Sequence, residues 1–155
     1  MISNTLQDEC YQRAVLSRIL RCGTDPWINP PEDWPRIIRD AWPVLWDRPP
    51  WNVPIGLIDV LMAMSEHVAG IDPEAKIIDA FTDYLSGGLV LRASFHVEAV
   101  RDVTNAYAYM CRNLCSRCGF EGEVREIVCG RNRVREIRCR HHFLGTQSRE
   151  ETSDD

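Results

Sequence analysis

Apolar residues recur at helical spacing through most of this chain. Leu6, Cys10, Ala14, Leu16, Ile19 and Leu20 mark one face, with Glu9, Arg13 and Arg18 largely elsewhere. They predict a helix that opens at Asn4 or Thr5, whose side chains can cap free N–H groups, and ends at Gly23. Residues 24–35 hold Pro26, Pro30, Pro31 and Pro35 and read as a turn-rich connection. Asp33 then opens a short helix through Ile37, Ile38, Ala41 and Trp42, with Pro35 near its first turn and Pro43 interfering with its end.

Past the Pro-rich joint around Pro49 and Pro50, Leu57, Ile58, Leu61, Met64 and Val68 supply the buried stripe of a stronger helix over about residues 54–68, with Gly70 as its stop. Asp72-Pro73-Glu74 reads as a cap with proline at the first helical position. It predicts a further helix ending before Gly87-Gly88, with Ile77, Ile78, Phe81, Tyr84 and Leu85 facing the core. Leu89-Val90-Leu91 is short enough to be either a strand or a buried linker. Val100, Val103, Tyr107 and Met110 then mark a last helix over about residues 97–112.

Periodicity changes after residue 120. Val124-Arg125-Glu126-Ile127-Val128-Cys129 is echoed by Val134-Arg135-Glu136-Ile137-Arg138-Cys139, with Gly130 and Asn132 between them suited to a turn. An antiparallel hairpin is the economical reading. The fold class expected is therefore mainly α: a compact helical bundle with a small C-terminal zinc-stapled β-hairpin. Three parts are anticipated: an acidic helical domain over 1–110, an arginine-rich zinc-binding module over 111–142 and a flexible acidic tail over 143–155.

Charge sharpens that division. The formal charge is -5 overall. Residues 1–110 carry nine basic and fifteen acidic side chains, residues 111–142 carry eight Arg and four Glu, and residues 143–155 carry one Arg and four acids. The cationic segment is all arginine, whose rigid fork of donors suits phosphate or carboxylate. The seven Cys are an odd number with most of them in the last third, and polar Ser3, Asn4, Gln7 and Asp8 leave no apolar signal core near the start, so a cytoplasmic or otherwise intracellular, reducing setting is expected. Apolar stretches are broken by charge before the ~20 residues of a spanning helix. No membrane role is indicated.

Cys115-Ser116-Arg117-Cys118-Gly119, followed by Cys129, Cys139, His141 and His142, carries the most specific chemistry. A Cys pair with later Cys and His donors can close a tetrahedral zinc site. In the hairpin, Cys139 returns toward Cys118, while Cys129 sits at the tip, roughly 17 Å away at the usual strand rise. The preferred Zn²⁺ ligands are Cys115, Cys118, Cys139 and one histidine, taken as His141, with Cys111, Cys129 and His142 as competitors. Cys10 and Cys22 read as small core residues.

The Cys-x-x-Cys-Gly segment before a hairpin resembles the first knuckle of a zinc ribbon, over residues 111–142 only. No second Cys-x-x-Cys is present, so Cys139 and a following histidine take its place. The resemblance implies a role in transcription, nucleic-acid binding or subunit docking.

Enzyme signals are weak, since the chain has no His-Glu-x-x-His, and although His96-Val97-Glu98 lies upstream of the Cys pair, Cys115 follows Leu114 rather than the proline of a deaminase Pro-Cys-x-x-Cys segment. The first functional reading is a small zinc-containing regulatory protein that binds DNA, RNA or a protein of a nucleic-acid-processing complex. Arg117, Arg131, Asn132, Arg133, Arg135, Arg138 and Arg140 are its contact candidates. The alternative is a protein-interaction or inhibitor module with purely structural zinc, docking through Trp34, Trp42, Trp46 and Trp51. A metal-dependent enzyme comes last.

Overall fold

A computed structural model of the chain describes residues 2–23, 30–83 and 85–143, and of Cys129 the backbone alone. The expected tail beyond Phe143 lies outside the described residues. Helix α1, Asn4–Cys22, begins at Asn4 as expected, but its cap is the preceding residue, Ser3, whose Oγ accepts the Leu6 N–H at 3.2 Å. Helix α2 is Trp34–Ala41 with Pro35 in its first turn. A 3₁₀ turn, Ile55–Leu57, leads into helix α3, Ile58–Ile71. Strands β1, Lys76–Thr82, and β2, Leu89–Ser94, form an antiparallel hairpin. Helix α4, Ala99–Met110, runs through a 3₁₀ turn at Cys111–Asn113 into the second hairpin, β3 Glu123–Cys129 and β4 Asn132–Arg138.

Helix α3 is the hub. Leu61, Met64 and Val68 are wholly buried, and α1 and α4 pack against α3 and each other. This arrangement hides apolar area that supplies most of the fold's favourable free energy. Trp46 is buried with its indole N–H donating to Ser65 Oγ at 2.8 Å, and that hydroxyl donates onward to the Leu61 carbonyl at 2.6 Å. Trp34 is likewise core. The expected tryptophan docking face is thereby dismantled, since two of its members fill the interior and only Trp51 is largely exposed, at 54%.

The helix expected after Asp72-Pro73-Glu74 is instead strand β1. Ile77 is buried and Ile78 is 64% exposed, a strand's alternation that a helical stripe would not give. The Ile77 N–H donates to the Leu45 carbonyl at 2.8 Å, docking the strand beside the Trp46 segment. Asp72 caps nothing that follows. It ends α3, and its carboxylate accepts N–H groups from His96, Glu74 and Val97, tying the hairpin's two ends together. Those bonds, the His96 N–H first, hold the Asp72 carboxyl below the usual carboxylate range. Gly70 lies inside α3 rather than stopping it.

Beneath the surface of α1 and α4 runs a polar chain. His67 Nδ1 lies 3.0 Å from the fully buried Tyr107 hydroxyl, and its Nε2 lies 3.7 Å from Glu9. Burial lowers the His67 pKa, with Arg13 adding to the effect and Glu9 opposing it. The unfolded chain therefore binds the proton more readily below about pH 6.5. Stability should fall as pH drops through that value toward the lower folded pKa. Substitution His67→Gln, which keeps a partner for Tyr107 but cannot titrate, should flatten that part of the stability–pH curve in urea melts at a series of pH values.

Candidate metal centre

Three pieces of chain build the site: the knuckle at residues 114–121, the base of β4, and a helical turn at residues 140–143. The knuckle closes through Cys115 N–H donating to the Phe120 carbonyl at 2.6 Å and Gly119 N–H donating to the Cys115 carbonyl at 2.8 Å. Gly119 adopts φ 75°, a conformation that favours glycine. Ser116 then bonds in both directions. Its N–H donates to the Ile137 carbonyl of β4 at 2.7 Å, and its carbonyl accepts the Gly56 N–H at 2.9 Å. A side chain on Gly56 would run into the Cys115 carbonyl, and one on Gly119 would run into the Gly56 carbonyl. Two glycines set back to back therefore let the knuckle press onto the helical body.

Hairpin register brings the second pair of donors home. Glu123 lies opposite Arg138 at the base and Cys129 opposite Asn132 at the tip, with Gly130 supplying the positive φ of the two-residue turn at 63°. Cys139 follows the base directly. Phe143 N–H donates to the Cys139 carbonyl at 3.0 Å, so the chain turns helically at once. In such a turn a residue three positions on shares the side of Cys139. That residue is His142.

Cys115, Cys118, Cys139 and His142 gather their donor atoms within 4.8 Å of one another. Cys118 Sγ lies 3.8 Å from Cys139 Sγ, and His142 Nδ1 lies 3.6 Å from Cys115 Sγ and 3.1 Å from Cys139 Sγ. Ligands about 2.3 Å and 2.0–2.1 Å from a central ion, tetrahedrally disposed, leave such edges between them. The grouping corrects the expected histidine: His142 joins the three cysteines, while the His141 ring sits edge-on to it at 5.2 Å and outside the group. Cys111 is no competitor either, because it packs in the hydrophobic core, where burial pushes its thiol up to about 12.

Electrostatics fit a cation at this point. Cys115 is buried, which alone would favour the thiol, but N–H groups of Cys139, Arg117 and Cys118 outweigh that and lower its pKa. Burial and the adjacent Cys115 sulfur push Cys118 up to about 12. One thiolate thus opposes the next unless a positive ion lies between them. Burial, and after it the charges of His141, Arg138 and Arg117, lower the His142 pKa, which favours the neutral imidazole that donates to a metal.

The arginines predicted for one surface part company. Arg138 is buried, and its Nε donates to Glu136 Oε2 at 2.7 Å. It is therefore a satisfied interior ion pair rather than a contact candidate, because its place beside Cys139 turns it inward. Arg133 and Arg135 share the other face of β4, where Arg133 reaches Glu126 at 3.3 Å and Arg135 donates to the Leu85 carbonyl at 3.4 Å. Arg131 and Asn132 are exposed at the tip, and Arg117 and Arg140 are exposed near the metal group. Arg117 and Arg135 converge on a small cleft of about 280 Å³ that also takes in Trp51 and Asn52. By sequence Trp51 groups with the other tryptophans, and only the docking of the knuckle brings it here.

No family model, curated protein or solved structure matches this chain.

Two measurements check the geometry. In a zinc competition titration, His142→Ala and Cys139→Ser should each lose more than about tenfold in affinity, while His141→Ala and Cys129→Ser stay near wild type. Gly56→Ala should cost about 1–3 kcal/mol in denaturant unfolding, since backbone rather than a movable side chain blocks the added methyl.

Proposed function

We propose that this is a small zinc-containing regulatory protein that contacts single-stranded nucleic acid, with the metal serving structure rather than catalysis. Three thiolates and one imidazole occupy all four positions of a tetrahedral zinc, so no position is left for a reacting water. The ion would fasten the knuckle to the hairpin and so fix the relative position of Arg117 and Arg135.

The observation that carries the nucleic-acid reading is the cleft shared by Trp51, Asn52, Arg117 and Arg135. An exposed indole with guanidinium groups around it is the combination that holds single strands, where bases stack on aromatic faces and cations track the phosphates. The Arg36 guanidinium, outside the cleft lining, sits 5.5 Å from the Trp51 ring centre and places a further cation beside the indole. Glu136 also lines the cleft, but its carboxylate is engaged by Arg138 and its charge is offset there. Arg131 and Arg133 would extend the contact toward the hairpin tip, with Asn132 available to a base edge. The acidic remainder of the chain would confine binding to this region and make it sensitive to salt.

Binding of short single-stranded DNA and RNA, followed by fluorescence anisotropy across a salt series, tests the reading. The affinity should fall with salt, and Arg117→Ala with Arg135→Ala should reduce the logarithmic slope by about 1.4, some 0.7 for each phosphate left without its cation. Trp51→Ala should cost about 1–3 kcal/mol with the slope unchanged, as expected for a stacked base. Zinc removal should abolish binding and its return restore it. Absence of association at low salt overturns the reading in favour of a protein partner.

A further inference from the structure

Helix α1 leaves an apolar face uncovered. Over its last two turns every exposed position is aliphatic, namely Val15, Leu16, Ile19 and Leu20, and Tyr11 continues the face one turn earlier. Leu20 is 78% exposed and Tyr11 59%. The five side chains present roughly 550 Å² of apolar surface, toward the upper end of what a monomer carries in one patch.

Those residues fall into two adjacent rows. Tyr11, Val15 and Ile19, spaced by four, line a cleft of about 830 Å³ whose opposite wall includes Tyr109, Leu114 and Phe120. Leu16 and Leu20, also spaced by four, stand beside that cleft and outside it. The same helix therefore offers a groove and, next to it, a ridge of matching chemistry. Rows with this spacing are the ones that interdigitate when helices pack at about -50°.

We propose that a second copy of this chain covers the face, with the Leu16–Leu20 ridge of each protomer seated in the cleft of the other about a two-fold axis. A two-fold interface demands a surface that is its own complement, and a ridge beside a groove on one element meets that demand. With the cleft walls added, the apolar area approaches the roughly 800 Å² per partner that stable interfaces bury. Past Glu9 the exposed positions of α1 are Tyr11, Gln12, Val15, Leu16, Ile19 and Leu20, none of them charged, and the charged residues that line the cleft, Asp8, Arg18, Asp59 and Glu121, are of both signs, which favours neither nucleic acid nor a peptide of one charge. Arg18, within the cleft, lies over the Phe120 ring at 3.8 Å and helps shape the wall.

The dimer does not rest on the nucleic-acid reading. The two clefts share no lining residue, so a paired molecule would keep both of its arginine–tryptophan clefts open and offer a strand two linked sites.

Light scattering and sedimentation of the full zinc-loaded chain, over a series from nanomolar to high micromolar, read the outcome directly. The mass should double with concentration. Leu16→Glu with Leu20→Glu should weaken the pairing by more than about tenfold, because each copy would bury unpaired carboxylates, while circular dichroism and zinc content stay unchanged. A photo-crosslinking amino acid at position 20 should capture the 109–120 segment of another copy. A monomer at the highest concentration, a dimer indifferent to both glutamates, or a crosslink to any other segment or protein overturns the proposal.

Discussion

Four donor atoms drawn from three stretches of chain meet within a few ångströms, and the carboxy-terminal third of the molecule is organised around that meeting. Hairpin β3–β4 is too small to make a core of its own, since isolated two-stranded hairpins are marginal in water. Its base is held instead by Ser116 on one side and by the Cys139–His142 turn on the other. Thiols packed this closely resist shared ionisation, and the four residues together form a group that could coordinate a metal ion. Such sites contribute directly to folding free energy.

The knuckle also belongs to the helical body. Gly56, at the entrance to α3, bonds to the Ser116 carbonyl, and neither Gly56 nor Gly119 can accept a side chain without displacing backbone. The proposed acidic domain and zinc module therefore meet through tightly fitted main chain. This contact creates the cleft between Trp51 on one side and Arg117 and Arg135 on the other. Position rather than total charge distinguishes these arginines from Arg138, which is engaged in an interior pair with Glu136.

The helical body carries a second, different opportunity. Its core is closed by α3, by Trp34 and Trp46, and by the Tyr107–His67 contact, yet the later turns of α1 keep Tyr11, Val15, Leu16, Ile19 and Leu20 in solvent. A helix packs its core with one stripe only. The residues left over on α1 are as hydrophobic as those inside, which is why a partner surface is the natural account of them.

Local chemistry was legible in the sequence. Helices α1, α2, α3 and α4 follow from their apolar periodicity, the β3–β4 hairpin from an internal echo around Gly130, and the three clustered cysteines from their spacing along a chain that must return to its starting point. Three matters were not legible, each for the same reason. Asp72-Pro73 begins a helix by local rule, but the Leu45 carbonyl and the N–H groups of His96 and Val97 offer the segment better partners as a strand. Choosing His142 over His141 depends on the helical turn after Cys139, and the fates of Arg138 and Trp51 depend on which surfaces are covered. Spacing constrains what neighbours along the chain can do, whereas burial and long-range hydrogen bonding select among those options only once distant segments have come together.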